Sequence, residues 1–216
     1  MKTLRFTLIA DGSSDKTLLR IIKWSLDNLY PKLPNEVTFA DFRNLPKPPK
    51  GLKEKVKSAL NYYPFDLLFV HRDAEKTDIK MVEQRKSEVK KELSDNETEK
   101  TICVVPVKMM ETWLLFDKEA IKKAAGNRNF KGNINLPLLR NLEKEKQPKK
   151  LLHTLLEETS GLKGRNLKKF KTETDKAVHL VAENIDDFSP LRELEAFKVF
   201  EVELKNKINI FLDKTN

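Results

Sequence analysis

The segment Phe65-Asp66-Leu67-Leu68-Phe69-Val70-His71-Arg72-Asp73-Ala74-Glu75 constrains this chain more than any other. Its apolar run is short, continuous and rich in strand formers, the pattern of a β-strand covered on both faces. It stops abruptly in charge. Side chains of a strand alternate between faces, so Asp73 and Glu75 share a direction if the extended conformation continues. Two neighbouring carboxylates at the end of a buried strand repel each other. They call for a positive partner: Arg72, a lysine from elsewhere, a shared proton or a bound cation.

The surrounding sequence supplies a sheet for this strand to join. Leu4 to Ala10 reads as a first strand, and Asp11-Gly12-Ser13-Ser14-Asp15 as a sharp turn. A helix from near Ser14 toward Tyr30 follows, with Leu18, Ile21, Ile22 and Leu29 on one face, closed by Pro31 and Pro34. Val37 to Phe42 is a second strand, and Pro46-Lys47-Pro48-Pro49 a connector. Helices are expected at Gly51–Tyr62 and, highly charged and exposed, at Ile79–Leu93; Ile102 to Val107 is the fourth strand. Strands alternating with helices specify an α/β domain with a mostly parallel four-stranded sheet flanked by helices.

After about residue 117 strand signals fade. Gly126 to Asn135 reads as a polar loop, and helices are expected at Lys149–Glu158, Glu173–Asn184 and Leu191–Leu212. The last carries Leu191, Leu194, Phe197, Phe200, Leu204, Ile208 and Phe211 at steps of three and four, so it should pack back on the sheet. Ser189 and Pro190 read as its cap and first turn. The lysine-rich segments 144–150 and 163–171 are expected as solvated faces or loops, with phosphate contact the functional alternative. The expected division is an α/β core over residues 1–125 and a helical C-terminal extension over 126–216.

Composition narrows the classes. The 216 residues carry a net charge of +9, which favours polyanionic partners but is also an ordinary route to solubility. Cys103 is the only cysteine and lies in an apolar run, so an intramolecular disulfide is excluded and a buried, inert thiol is expected. With three histidines beside it, a structural zinc site is disfavoured. The N-terminus reads as a strand rather than a leader, and no apolar run approaches membrane-spanning length. A soluble, cytoplasmic protein is expected.

In open parallel sheets, function gathers at the carboxyl ends of strands. Acidic residues fall there three times: Asp11 with Asp15, Asp73 with Glu75, and Glu111. Such oxygen donors suit Mg2+ or Mn2+, although Asp11 and Asp15 also fit a turn and a helix start. The first turn lacks the second glycine and the Gly-Lys-Ser/Thr ending of a Walker loop, yet its amides and Lys16 can meet a phosphate. His71 is a general base, a base-stacking group or a hydrogen-bonded strand-end residue. Arg72 neutralises carboxylates or meets phosphate, and Lys108 and Arg192 are further phosphate candidates. Glu111 sits among Met109, Met110, Trp113, Leu114 and Leu115, where an unpartnered carboxylate is costly, and Trp113 is expected in the core.

The acidic-Gly-x-Ser-acidic turn, followed by an Asp-x-acidic pair after a later hydrophobic strand, resembles the TOPRIM domain of topoisomerases, primases and OLD-family nucleases. Val70 to Glu75 and Val105 to Leu115, with Ser189 to Arg192, resemble a group of small prokaryotic TOPRIM-like proteins. The likeness is strongest over residues 4–20, 65–75 and 103–126. It implies Mg2+- or Mn2+-dependent phosphodiester chemistry on DNA or RNA, in phage defence beside a partner ATPase. Asp11, Asp73 and Glu75 would be catalytic, and Asp11, Asp15, Asp73, Glu75 and Glu111 the metal ligands. The chain departs from that pattern by Asp11 in place of glutamate and by Asp-x-Glu in place of Asp-x-Asp. The alternative is an inactive TOPRIM-like module docking a partner protein or nucleic acid. A receiver-like phosphoacceptor, with Asp73 accepting the phosphoryl group, is disfavoured by chain length, the Asp73-x-Glu75 pair and the Glu111 motif.

Overall fold

A computed structural model describes residues 3–215. Strands β1 (Leu4–Ile9), β2 (Asn35–Phe39), β3 (Leu67–His71) and β4 (Thr101–Val104) form an all-parallel sheet in the order β2-β1-β3-β4. Every residue of β3 and β4 is buried, as is all of β1 except the half-exposed Arg5. Arg5 is tied to Asp66 through its backbone N–H, 2.9 Å from Oδ2, and through its guanidinium. That contact sets the entry into β3. β2 lies at the edge and is half-exposed, which suits its polar residues.

Helices α1 (Leu18–Leu29), α2 (Gly51–Tyr62) and α3 (Lys80–Glu92) follow the first three strands. α1 turns Leu18, Ile21, Ile22 and Leu26 inward, α2 turns Leu52, Val56 and Ala59, and the charged α3 anchors through Val82 and Val89. The first turn after β1 is a 3-10 turn over Ser13–Thr17, so the α-helix starts at Leu18 rather than near Ser14. Further along the chain come α4 (Asp95–Lys100), α5 (Lys118–Ala124), α6 (Pro148–Ser160), α7 (Gly164–Thr172), α8 (Thr174–Asn184) and α9 (Glu195–Thr215). Helices α4, α5 and α7 were not expected.

The terminal helix begins later than its sequence suggests. Ser189–Glu193 forms a separate 3-10 turn, in which Ser189 donates its hydroxyl to Asp187 at 2.6 Å instead of capping α9. The Glu143 carboxylate takes over that role, accepting from the amides of Glu195 (3.1 Å) and Ala196 (2.9 Å). α9 then packs against β4 through a buried stripe of Phe197, Phe200, Leu204 and Ile208. Glu203 accepts from the Cys103 amide at 3.3 Å, and Lys207 donates to the Thr98 and Glu99 carbonyls at 2.8 Å. Glu203 thereby occupies a backbone amide of the edge strand β4 that a free edge would offer to another chain.

Buried apolar residues from Leu4 to Ile208 form one cluster, drawing on both sides of position 125. Trp113 is fully buried at its centre, 5.1 Å from the Phe197 ring and 6.0 Å from Phe200. Cys103 is buried, and burial, aided by the Glu203 charge, pushes its thiol up to about 12, so it is inert as a nucleophile. Among the described residues, no helix is long and apolar enough to cross a membrane.

Candidate functional site

The sheet order places a topological switch between β1 and β3: the chain leaves β1 for β2 on one side and β3 for β4 on the other. The crevice beyond the carboxyl ends of such a strand pair is the default ligand position in an open parallel sheet. A cavity of about 360 Å³ opens there. The β1 end contributes Asp11 and Asp15, and the β3 end His71, Arg72, Asp73 and Glu75. α3 adds Arg85, Glu88, Val89 and Glu92. Six carboxylates thus face two arginines and one histidine, in a chain whose net charge is +9.

The carboxylates are not equivalent. Asp11 accepts from Lys55 Nζ of α2 at 2.7 Å and also pairs with Arg72. Partial burial opposes its ionisation, but the Lys55 hydrogen bond and the Arg72 and Lys55 charges outweigh it and lower its pKa. Glu75 pairs with Arg85 at 2.7 Å. The extended conformation that would align it with Asp73 is absent, because β3 ends at His71 and Glu75 lies in the left-handed region at φ 63°. Lys108, also at φ 63°, faces it: the Glu75 amide donates to the Lys108 carbonyl at 2.8 Å, and Lys108 Nζ donates to the Glu75 carbonyl at 2.6 Å. Two non-glycine residues in that region cost roughly 1–3 kcal/mol each, strain that clusters at functional sites.

Asp15 and Asp73 converge on His71 from separate segments, and their charges act on Glu111 nearby. His71 is buried, with Nδ1 2.9 Å from the Val104 carbonyl and Nε2 3.4 Å from Asp73 Oδ1 and 4.0 Å from Asp15 Oδ1. Donation to a carbonyl fixes the proton on Nδ1 and leaves Nε2 toward the acids. Asp73 Oδ1 also accepts from the Met110 amide at 3.0 Å, and Asp15 Oδ2 from the Gly12 amide at 2.9 Å. Glu111, in the 3-10 turn Met110–Leu114, is buried, with Lys149 Nζ of α6 3.9 Å from Oε1. Its pKa is raised, first by burial and further by the Asp73 and Asp15 charges, against the pull of Lys149.

These shifts set a pH dependence. Burial depresses the His71 pKa, but the Asp73 hydrogen bond, the Asp73 and Asp15 charges and the Val104 carbonyl outweigh it, so the net shift is upward. A group with a raised folded pKa holds its proton more tightly when folded. Its contribution is full below the unfolded value, 6.5 for His71 and 4.5 for Glu111, and fades as pH rises through the folded value. The thermal midpoint is therefore expected to fall with rising pH across these windows. Scanning calorimetry over a pH series checks this, and His71→Gln should remove the part that begins above 6.5.

The remaining phosphate candidates lie elsewhere or are engaged. Lys16 is exposed beside a shallower hollow lined by Ser14, Asp175 and His179. Arg192 is held by Glu201 at 3.0 Å and lies 5.0 Å over the Trp24 ring. The partners that sequence reading missed are Lys55, Arg85, Glu88, Glu92 and Lys149. The steps 85, 88, 89 and 92 do put one α3 face together, but nothing local says that this face meets β3.

A family model described as a domain of unknown function (DUF4276) matches residues 15–191. The chain belongs to the DUF4276 family. No curated protein and no solved structure matches it. Within this DUF4276 chain, Asp15, His71, Arg72, Asp73, Glu75 and Glu111 lie inside the matched span, whereas Asp11 and α9 lie outside it.

Among the described residues, no group of three or more His, Cys, Asp or Glu side chains is arranged to hold a metal ion unaided. Mg2+ does not require one: it is commonly bound through one or two carboxylates, with water and substrate phosphate completing the shell. Asp15 and Asp73, flanking His71 Nε2, offer two hard oxygen donors that no lysine or arginine within 4.0 Å neutralises among the described residues. Glu111 lies behind them as a buried carboxyl whose proton burial and their charges hold more tightly. The donor chemistry of this DUF4276 site therefore fits a hard divalent cation better than the cation-paired Asp11 and Glu75 do.

Proposed function

We propose that this DUF4276 protein is a TOPRIM-like, divalent-cation-dependent nuclease that cleaves phosphodiester bonds in DNA or RNA. The observation that carries this reading is the concentration of carboxylates at the switch point of a parallel sheet in an otherwise basic chain. An acidic crevice repels a phosphodiester unless a cation stands between them.

Asp15 and Asp73 would hold Mg2+ or Mn2+, with the buried Glu111 behind them. When bound, the cation would neutralise charge developing on the phosphate and lower the pKa of a water. His71, fixed through the Val104 carbonyl, orients Asp73 through its Nε2 edge. Arg72 and Arg85 restrain Asp11 and Glu75 and stand at the cavity wall, where a phosphate oxygen can accept from them. Asp11, its pKa lowered, serves as an ionised base rather than an acid. The test is cleavage of supercoiled plasmid and of a single-stranded RNA with Mg2+ or Mn2+ against EDTA, with and without a co-encoded ATPase. Cation-dependent nicking or shortening is expected; inertness in every arm contradicts the proposal.

One observation favours a second reading, a non-catalytic module that docks a partner or nucleic acid. Two of the acids, Asp11 and Glu75, already have cationic partners. Calorimetry separates the two, because the module reading expects no Mn2+ heat.

A further inference from the structure

The chain's positive charge is not spread evenly. Residues 118–171 hold fifteen Lys and Arg against five Asp and Glu, and the remainder holds 27 against 28. The whole excess lies in this one stretch of the sequence, downstream of the acidic crevice. Its most exposed part is α7, which contains no carboxylate. Lys163, Arg165, Lys168 and Lys169 are exposed, and among the described residues none has a carboxylate within 4.0 Å, whereas Lys171 pairs with Glu157 of α6 at 2.8 Å.

Three other helices pair a lysine with an acid one turn away, in Lys23–Asp27, Lys122–Glu119 and Lys198–Glu195. On α7, Arg165 instead meets Lys168 and Lys169 at the third and fourth positions, and each such like-charge neighbour costs a few tenths of a kcal/mol. The two apolar residues of α7, Leu167 and Phe170, are half-buried, so the helix presents no apolar face for insertion into a bilayer.

We infer that α7, through Lys163, Arg165, Lys168 and Lys169, is a sequence-independent contact surface for the phosphodiester backbone of a nucleic acid. α6 runs between this surface and Glu111, on which the charges of the crevice residues Asp73 and Asp15 act: Lys149 near its start lies beside Glu111, and its far end leads into α7. Twelve residues of helix from Lys149 to Gly161 span about 18 Å. That separation suits an extended polyanion, about five phosphate steps of one strand, rather than a compact phosphate. The assignment deepens the nuclease reading by naming how its substrate is gripped, and it rests on that reading only for the chemistry at the crevice.

The test is fluorescence anisotropy with a labelled 20-mer duplex and a labelled single-stranded RNA, in EDTA, over a salt series. Wild type should bind with a steep salt dependence. The triple variant R165E/K168E/K169E should lose at least about tenfold in affinity, with the log–log salt slope reduced by about 2–3. A charge-matched control, K53E/K57E/K91E, alters exposed lysines of α2 and α3 and should bind much more tightly than the α7 variant. Equal losses in both variants, no loss in either, or binding only to phosphatidylserine vesicles would overturn the inference. Because the assay omits divalent cations, intact binding without cleavage sinks the nuclease proposal alone.

Discussion

Asp73→Ala is expected to reduce cation-dependent cleavage by about 10²–10³-fold, the consequence of removing one of two donors for an ion worth several kcal/mol in the transition state. The truncation also leaves the Met110 amide and His71 Nε2 without their acceptor, which should cost about 1–3 kcal/mol of stability. Asp73→Asn separates these effects. Its amide oxygen still accepts from Met110, so the unfolding midpoint should stay near wild type while activity is lost. Wild-type turnover in the Asp73→Asn variant would remove Asp73 from the chemistry.

The largest stability effect is expected at Trp113. It is fully buried against Phe197 and Phe200, and Trp113→Ala should cost about 3–5 kcal/mol in urea unfolding, out of the roughly 5–15 kcal/mol typical of a domain. The indole Nε1 is buried without a hydrogen-bond partner among the described residues. Trp113→Phe removes that orphan donor along with some volume, so its cost should be much smaller, about 1–2 kcal/mol. Equal destabilisation by both variants would show that the indole N–H is satisfied after all. Trp113 shares the 3-10 turn Met110–Leu114 with Glu111, so packing on one side of that turn fixes the carboxylate on the other.

What the sequence disclosed follows a physical division. Continuous apolar runs at β1, β3 and β4 and the three-and-four stripe of α9 are local patterns, and they were readable. α7 was not, because Gly164–Thr172 carries only Leu167 and Phe170 as apolar positions, too few to show a period. α4 buries nothing, and its one signal is the capping box in which Ser94 and Glu97 exchange hydrogen bonds. The acids at the strand ends were legible because strand ends are. Their cationic partners were not, since Lys55 and Arg85 reach the crevice only through the docking of α2 and α3. The shared direction of Asp73 and Glu75 failed at one backbone torsion, the left-handed φ of Glu75.

The most direct measurement is the anomalous difference map of a crystal soaked in Mn2+. One peak between Asp15 and Asp73, within reach of Glu111, is the result expected. A soak that leaves the crevice empty, or that places Mn2+ only at Asp11 or Glu75, would contradict the cation site on which the proposed chemistry depends.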